Sequence, residues 1–580
     1  MSDNKNRICI IGAGPAALLT VFELSKSNLK NYSLTVFESS DELGSGMPYS
    51  RRGACSEHVT NVSSNELPKL PQTLFDWVQQ QSSSMLSTFN IRKDEFHEKE
   101  VIPRLLFGQY LKSQFGICVE KIRISHEVTI KKQTRIVDIE NNKNGTFRVM
   151  TDSNKSHEFD SVIICTGHKW VKEYEGIVEG FFDSPYPPSK LPKKLNHKVI
   201  IRGSSLTAVD AIKTMSLGAG RYLERDNTLV YERNQESQSF EIELHSRGGL
   251  LPALRVHMDE PHMSDSCRID PNLIEENRKQ NQGFVSLDFL YKQAFLETLK
   301  KSHPKFWASI ENMSMENFVE QMLSKREAEP AFDLLKKEYN QSLQSIRKEE
   351  SVPWKEALSA LSFAMNYPAK YLSAEDMLRL KNTLMPLISV IIAFLPQSSC
   401  EMLLALHESG VLTIIDDCEG GKAFVEEESQ AVSGKQIRYE YTDRTGSHSV
   451  HCKTFVDCIG QKPFDAKDFP YHKLLADGTV SPASLKFRSE HAGRDYFKKE
   501  HDQVYESNGE YYLKVPGIAI DDSFRAVQQN GCDTVNLFIM AVPYIGGYNP
   551  DYSGLDFCEQ AAKAVVQCLA LNFRESKRES

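Results

Sequence analysis

No apolar run in this 580-residue chain is long enough to cross a bilayer. The best candidate, Leu387 to Leu395, is closed off by Pro386 and Pro396, far short of the ~20 residues a membrane helix needs. No secretory leader is visible, because the polar opening MSDNKNR passes directly into ICIIGAG. Cys-x-x-Cys is absent. The 12 cysteines are scattered, which predicts free thiols and a cytoplasmic location. A basic excess is also missing: 78 Asp and Glu outnumber 69 Lys and Arg, and a net charge of −9 argues against nucleic acid as the main partner. Low-complexity segments are lacking. With 40 % hydrophobic and 25 % charged residues, the composition excludes a disordered or collagen-like chain and allows a large core. The length suggests about three or four domains.

What is present begins at once. The apolar run Arg7 to Ile11 ends in Gly12-Ala13-Gly14-Pro15-Ala16-Ala17. A helical stretch, Ala16 to Ser25, follows, then a strand from Ser33 to Phe37 that ends at Glu38. Strand, glycine turn, helix, strand and acid form the dinucleotide-binding fingerprint in its proper context. Gly12 permits the tight turn, Gly14 lets a pyrophosphate approach the backbone, and Ala17 lets helix and strand pack closely. The helix start offers free N–H groups to phosphate, and Glu38 can accept from ribose hydroxyls. Strands at Thr146 to Thr151 and Glu158 to Cys165 lead into Thr166-Gly167-His168, which suits a chain crossing beneath a dinucleotide.

The same order recurs. A strand from Lys198 to Arg202 enters Gly203-Ser204-Ser205-Leu206-Thr207-Ala208, with a helix from Val209 to Leu217 and a strand from Ile242 to His245. Phe455 to Ile459 then leads into Gly460. Between the halves, Asp270 to Pro396 is rich in Leu, Lys, Glu and Met at helical spacing and reads as an insertion. The end returns to the first domain through strands near Pro516 to Ile520 and Val535 to Val542, a glycine-rich loop, and a helix from about Leu555. The expected fold is α/β, with two Rossmann-like domains for FAD and NAD(P)H and a mostly helical insertion in the second. The expected boundaries are 1–195 and 466–580 for the first domain, 196–269 and 397–465 for the second, and 270–396 for the insertion.

With these motifs in place, the chain resembles the FAD/NAD(P)-binding flavoproteins related to flavin-dependent amino-acid N-hydroxylating monooxygenases. The resemblance rests on IIGAGPAA, FESSDELGSGMPYS, HVTNVSSNELPKL, PRLLFGQYL, VIICTGH, SPYP, VIIRGSSLTAVDAI, HSRGGLLP and NPDYSGLDFCEQAA. It implies that Gly12, Gly14, Pro15, Ala16 and Ala17 hold the FAD pyrophosphate and Glu38 the adenosine ribose. Gly44, Gly46 and Met47 would pass near the pyrophosphate and ribityl chain, Asn61, Val62 and Ser63 would line the flavin, and Arg104 would pair with phosphate or substrate. Thr166 and Gly167 would pass beneath the dinucleotide. Gly546, Gly547, Asp551, Gly554 and Leu555 would approach the isoalloxazine edge. Gly203, Ser204, Ser205, Leu206 and Ala208 would hold the nicotinamide coenzyme, although Ser205 replaces the second glycine of the fingerprint. Arg247, just past that domain's second strand, is placed to pair with a 2′-phosphate, which points to NADPH.

The resemblance implies an FAD- and NADPH-dependent monooxygenase that hydroxylates the amine nitrogen of a small amino-acid-like substrate with dioxygen, through a flavin C4a-hydroperoxide. Arg51, Arg255 and His257 are candidate substrate contacts. Two alternatives stand beside it: an NAD(P)H oxidase or dehydrogenase without oxygen insertion, and a flavin-bound interaction protein. Close cysteine pairs of the disulfide-reductase type are absent. In HMDEPHMSD, residues His257, Asp259, Glu260, His262 and Asp265 fit no zinc spacing, and Pro261 breaks a helical display, so no metal is expected.

Overall fold

The computed structural model describes residues 5–142, 144–259, 267–426, 436–551 and 554–575. The first sheet has the strand order Arg525–Val527, Asp533–Ile539, Ser161–Ile164, Asn6–Ile11, Tyr32–Phe37, Glu127–Lys131. Every pairing from Asp533–Ile539 onward is parallel, and the Arg525–Val527 edge is antiparallel. Parallel strands covered on both faces are apolar throughout, and Ile8, Ile10, Val36, Val162 and Ile163 are fully buried. Helices Pro15–Lys26 and Leu555–Glu575 pack together over this sheet. The return of the C-terminus to the first domain therefore occurs as hydrogen bonding, with Phe538 in register with Ile163.

The second sheet repeats the plan in the order Phe181–Phe182, Thr454–Asp457, Lys198–Arg202, Glu241–Ser246, Leu412–Asp416, with all pairings parallel. Helix Leu206–Ala219 follows its first turn.

Among the described residues, 271 to 391 carry helices and turns around a core of their own, including Leu287, Phe295, Phe318, Leu361 and Leu387. That core also takes Leu485, Val504 and Leu513 from a three-stranded antiparallel sheet, Pro482–Lys486, Val504–Ser507 and Glu510–Ile518, and Phe487 just beyond its first strand. Part of the C-terminal stretch assigned to the first domain thus packs against the helices, because its apolar face lies on that side. One expected strand also divides. Instead of Glu158 to Cys165, the chain forms Ser156–Phe159 in a small antiparallel sheet and Ser161–Ile164 in the main sheet. The break is at Asp160, whose carboxylate accepts from the Arg7 N–H at 2.7 Å and from its guanidinium at 2.9 and 3.0 Å.

Candidate functional site

The first turn is built as its residues require. Gly12 adopts φ +93°, and a Cβ there would lie 2.7 Å from the carbonyl oxygen of Cys165. A Cβ on Gly14 would meet Gly46 Cα at 3.3 Å. Gly44 donates its N–H to the Ala13 carbonyl at 2.6 Å. Helix Pro15–Lys26 starts with no side-chain cap at Gly14, so its first N–H groups are left for an acceptor from outside.

These residues enclose a cavity of about 330 Å³, lined by Gly12 to Ala16, Glu38, Gly46 to Tyr49, Arg52, Thr166 to His168, Met540, Val542, Gly554, Leu555 and Cys558. Ala17 is buried beneath it against the sheet. The Glu38 carboxylate accepts from Ala13 N–H and from Ser40 N–H and Oγ, each at 2.8 Å. A carboxylate has lone pairs beyond these, so it can still accept from ribose. Thr166 Oγ1 is buried and has no hydrogen-bond partner among the described residues. An unmet polar atom, a glycine cradle and an uncapped helix start in one cavity fit a dinucleotide.

A second cavity of about 250 Å³ adjoins the first and shares Met47, Pro48, Tyr49 and His168 with it. Its other walls are Gly53, Thr60, Asn61, Arg104, Trp170, Tyr186, Thr207, Gly460 and Gln461. It therefore lies between the two nucleotide-binding halves.

The second turn copies the first. Gly203 has φ +97°, and a Cβ would lie 2.7 Å from the Cys458 oxygen. Gly203 N–H donates to His245 O at 2.8 Å, as Gly12 N–H does to Phe37 O. Ser204 Oγ donates to Leu250 O at 2.7 Å, so it braces the loop after the second strand. Ser205 is the N-cap of Leu206–Ala219 and makes no side-chain capping bond, so its hydroxyl remains for a ligand. Arg247 is exposed immediately after Glu241–Ser246.

Several expected contacts are committed elsewhere. Arg104 donates to Val59 O at 2.9 Å and pairs with Asp210 at 2.5 Å, which also accepts from Tyr186 Oη at 2.7 Å. This ion pair joins the two nucleotide domains. Burial opposes the Arg104 charge, but Asp210 and the phenols beside it outweigh this and raise its pKa. Arg255 bonds Asn61 O at 2.8 Å and Ser63 Oγ at 2.7 Å and is ion-paired to Glu66. Ser63 is thereby turned away from any flavin role as a free hydroxyl. Burial lowers the Arg255 pKa to about 10. Val62 uses its carbonyl to accept from Thr60 Oγ1. His257 lies 3.4 Å from Asp259. Arg51 lines neither cavity but an open cleft of about 1180 Å³ that shares Tyr49 with both. Glu260, His262 and Asp265 lie outside the described residues.

The closing loop splits in role. Gly554 and Leu555 reach the first cavity, but Gly547 donates to Pro516 O at 2.9 Å, where a Cβ would clash. Asp551 faces the helical region: Ser362 Oγ donates to its carboxylate and Asn366 brackets its backbone at 2.9 and 3.0 Å. Desolvation raises the Asp551 pKa to about 6. Gln461, Tyr186, Asp210, Met540 and Val542 were not anticipated as site residues. Only MAVP, apolar and at the end of the strand expected over Val535 to Val542, gave a local signal for two of them.

Residues 9–169 match the family model described as FAD-NAD(P)-binding, and residues 270–392 match one described as YdhS-like middle domain. The first part of the chain thus carries the pattern of an FAD-NAD(P)-binding domain. Over its whole length the chain is similar to the uncharacterized protein YdhS of Escherichia coli (strain K12), with 25 % identity over 577 residues and 99 % of both chains covered. Among solved structures, the ornithine N-hydroxylase of Kutzneria sp. 744 aligns over 99 % of this chain and 100 % of its own, with 12 % identity and a TM-score of 0.46. The ornithine hydroxylase PvdA of Pseudomonas aeruginosa aligns over 97 % and 99 %, with 10 % identity and a TM-score of 0.43. Among the described residues no helix is long and apolar enough to cross a membrane, and no cluster of three or more His, Cys, Asp or Glu could hold a metal.

Proposed function

We propose that the protein is an FAD- and NADPH-dependent monooxygenase acting on the amine nitrogen of a small amino-acid-like substrate. The observation that carries this reading is the pair of matched glycine turns, Gly12 under Cys165 and Gly203 under Cys458, flanking two cavities that share four residues. The net reaction is amine plus dioxygen plus NADPH plus a proton, giving hydroxylamine, water and NADP⁺.

Bound FAD would supply hydride acceptance and oxygen activation. The chain does the rest. Gly12 to Ala17 and the first turn of helix Pro15–Lys26 hold the pyrophosphate, and Glu38 orients the adenosine ribose. Met47, Pro48, Met540, Val542 and Leu555 give the cavity apolar walls that exclude water. Gly203, Ser205 and Leu206 hold the coenzyme backbone, and Arg247 selects the 2′-phosphate. Asn61 lines the second cavity, where its amide can orient a substrate amine.

One observation favours NADPH oxidase activity as the second reading. Arg104 and Arg255, two of the cations suited to clamp a substrate carboxylate, are already paired with Asp210 and Glu66. The deciding experiment follows NADPH consumption, peroxide release and hydroxylamine formation against a panel of amino acids and diamines. Substrate-dependent oxidation with little peroxide supports hydroxylation. Rapid peroxide formation indifferent to every amine supports the oxidase.

A further inference from the structure

Two chain segments connect the nucleotide domains, one following Ser161–Ile164 and the other following Thr454–Asp457. Gln461 on the second reaches the first. Its Oε1 accepts from Lys169 N–H at 3.1 Å and lies 2.8 Å from His168 Nδ1. A backbone N–H only donates, so the atom it meets is the amide oxygen, and Nδ1 must carry the proton to bond the same oxygen. Neutral His168 is therefore held as the Nδ1–H tautomer, with a lone pair on Nε2. Nε2 has no partner among the described residues. The ring lines both cavities.

Charged and titratable groups surround it on each side. Glu38 and Arg52 line the first cavity, and Arg104, Tyr49 and Tyr186 the second. Lys169 is adjacent, and Lys462 and Glu173 pair at 3.6 Å across the two connecting segments. Arg104 is balanced by Asp210 and Arg52 lies 3.9 Å from Glu38, so no unpaired carboxylate among these groups favours an imidazolium.

We propose that His168 Nε2 accepts a hydrogen bond from an N–H or O–H of the nicotinamide coenzyme, with Gln461 as the positioning residue that sets its tautomer. The proposal rests on the coenzyme reading of the second domain. Protonation turns Nε2 into a donor and removes the acceptor, so coenzyme binding weakens as pH falls through the imidazole pKa. By linkage, the bound coenzyme lowers that pKa.

The test measures NADP⁺ affinity of the FAD-loaded protein between pH 5.5 and 8.5, alongside ¹⁵N-histidine NMR. The coenzyme 2′-phosphate also titrates near pH ~6, as phosphomonoesters do, but that contribution is common to all variants. His168→Phe should bind about 5-fold more weakly at pH 8, the loss of one neutral hydrogen bond. His168→Gln, which keeps an acceptor, should stay within about 3-fold of the parent at pH 8 and lose the imidazole limb. Gln461→Glu should move that limb to higher pH, because a carboxylate beside Nδ1 favours the imidazolium. NMR should show the Nδ1–H tautomer and a His168 pKa lowered by NADP⁺. Flavin content and melting temperature check folding. Identical pH profiles in all variants, or an Nε2–H tautomer, overturn the proposal while leaving the function reading intact. Failure to bind NADP⁺ at any pH overturns both. NADP⁺ binding with the expected pH dependence but no hydroxylated product sinks only the monooxygenase reading.

Discussion

At the scale of single residues, Gly12 and Gly203 occupy equivalent positions in two turns, and each has a carbonyl 2.7 Å from where a Cβ would stand. Alanine at either site meets that carbonyl and takes a left-handed φ costing roughly 1–2 kcal/mol. Gly12→Ala should yield colourless protein on purification, read as loss of absorbance near 450 nm. Gly203→Ala should stay yellow but bind NADP⁺ at least 10-fold more weakly, read by titration. Asp551 gives a pH signature. Its folded pKa of about 6 stands above the ~3.9 of an unfolded aspartate, so the native state holds the extra proton between those values. Stability from this group is present at low pH and is lost as pH rises from about 4 to about 6. Asp551→Asn should therefore gain on the order of 1–2 kcal/mol over the parent at pH 8, with the gap closing near pH 4, by urea unfolding at several pH values.

At the scale of elements, legibility followed local pattern. The strand Lys198–Arg202 lies where its apolar run places it, and the helices after both glycine turns begin at the turns. The division of Glu158 to Cys165 was not legible, because it depends on Asp160 meeting Arg7, a partner 153 positions away. The same holds for Pro482 to Ile518, whose strands could cover either core until the chain is folded. Leu485 and Leu513 pack with the helical region, so Leu513→Asp should destabilise that region by about 3 kcal/mol or more, an uncompensated charge in an apolar core. Limited proteolysis should then cut first between residues 271 and 391, with the flavin still bound.

At the scale of the whole molecule, Arg104, Asp210 and Tyr186 join the two nucleotide domains through a buried cluster. Removing either Arg104 or Asp210 leaves the other's buried charge unmatched. Asp210→Ala should cost about 3–5 kcal/mol in unfolding free energy, and the double variant Arg104→Met/Asp210→Leu should recover much of it. The double variant should also weaken NADPH-dependent flavin reduction, measured by anaerobic stopped flow, because the domains lose their registration.

Read from the chain alone, the glycine turns, the acid at Glu38 and the interruption by a helical stretch could all be assigned. Each depends on neighbours within a few residues, where backbone geometry and hydrophobic period dominate. Folding had to bring distant segments together before the remainder was decided. Only then do Arg104 and Arg255 find Asp210 and Glu66 instead of a ligand, Asp551 turn toward Ser362, and Gln461 set the proton on His168. Charges and hydrogen-bonding atoms pair with whatever lies within about 3 Å, and that proximity is created by packing, not by order along the chain.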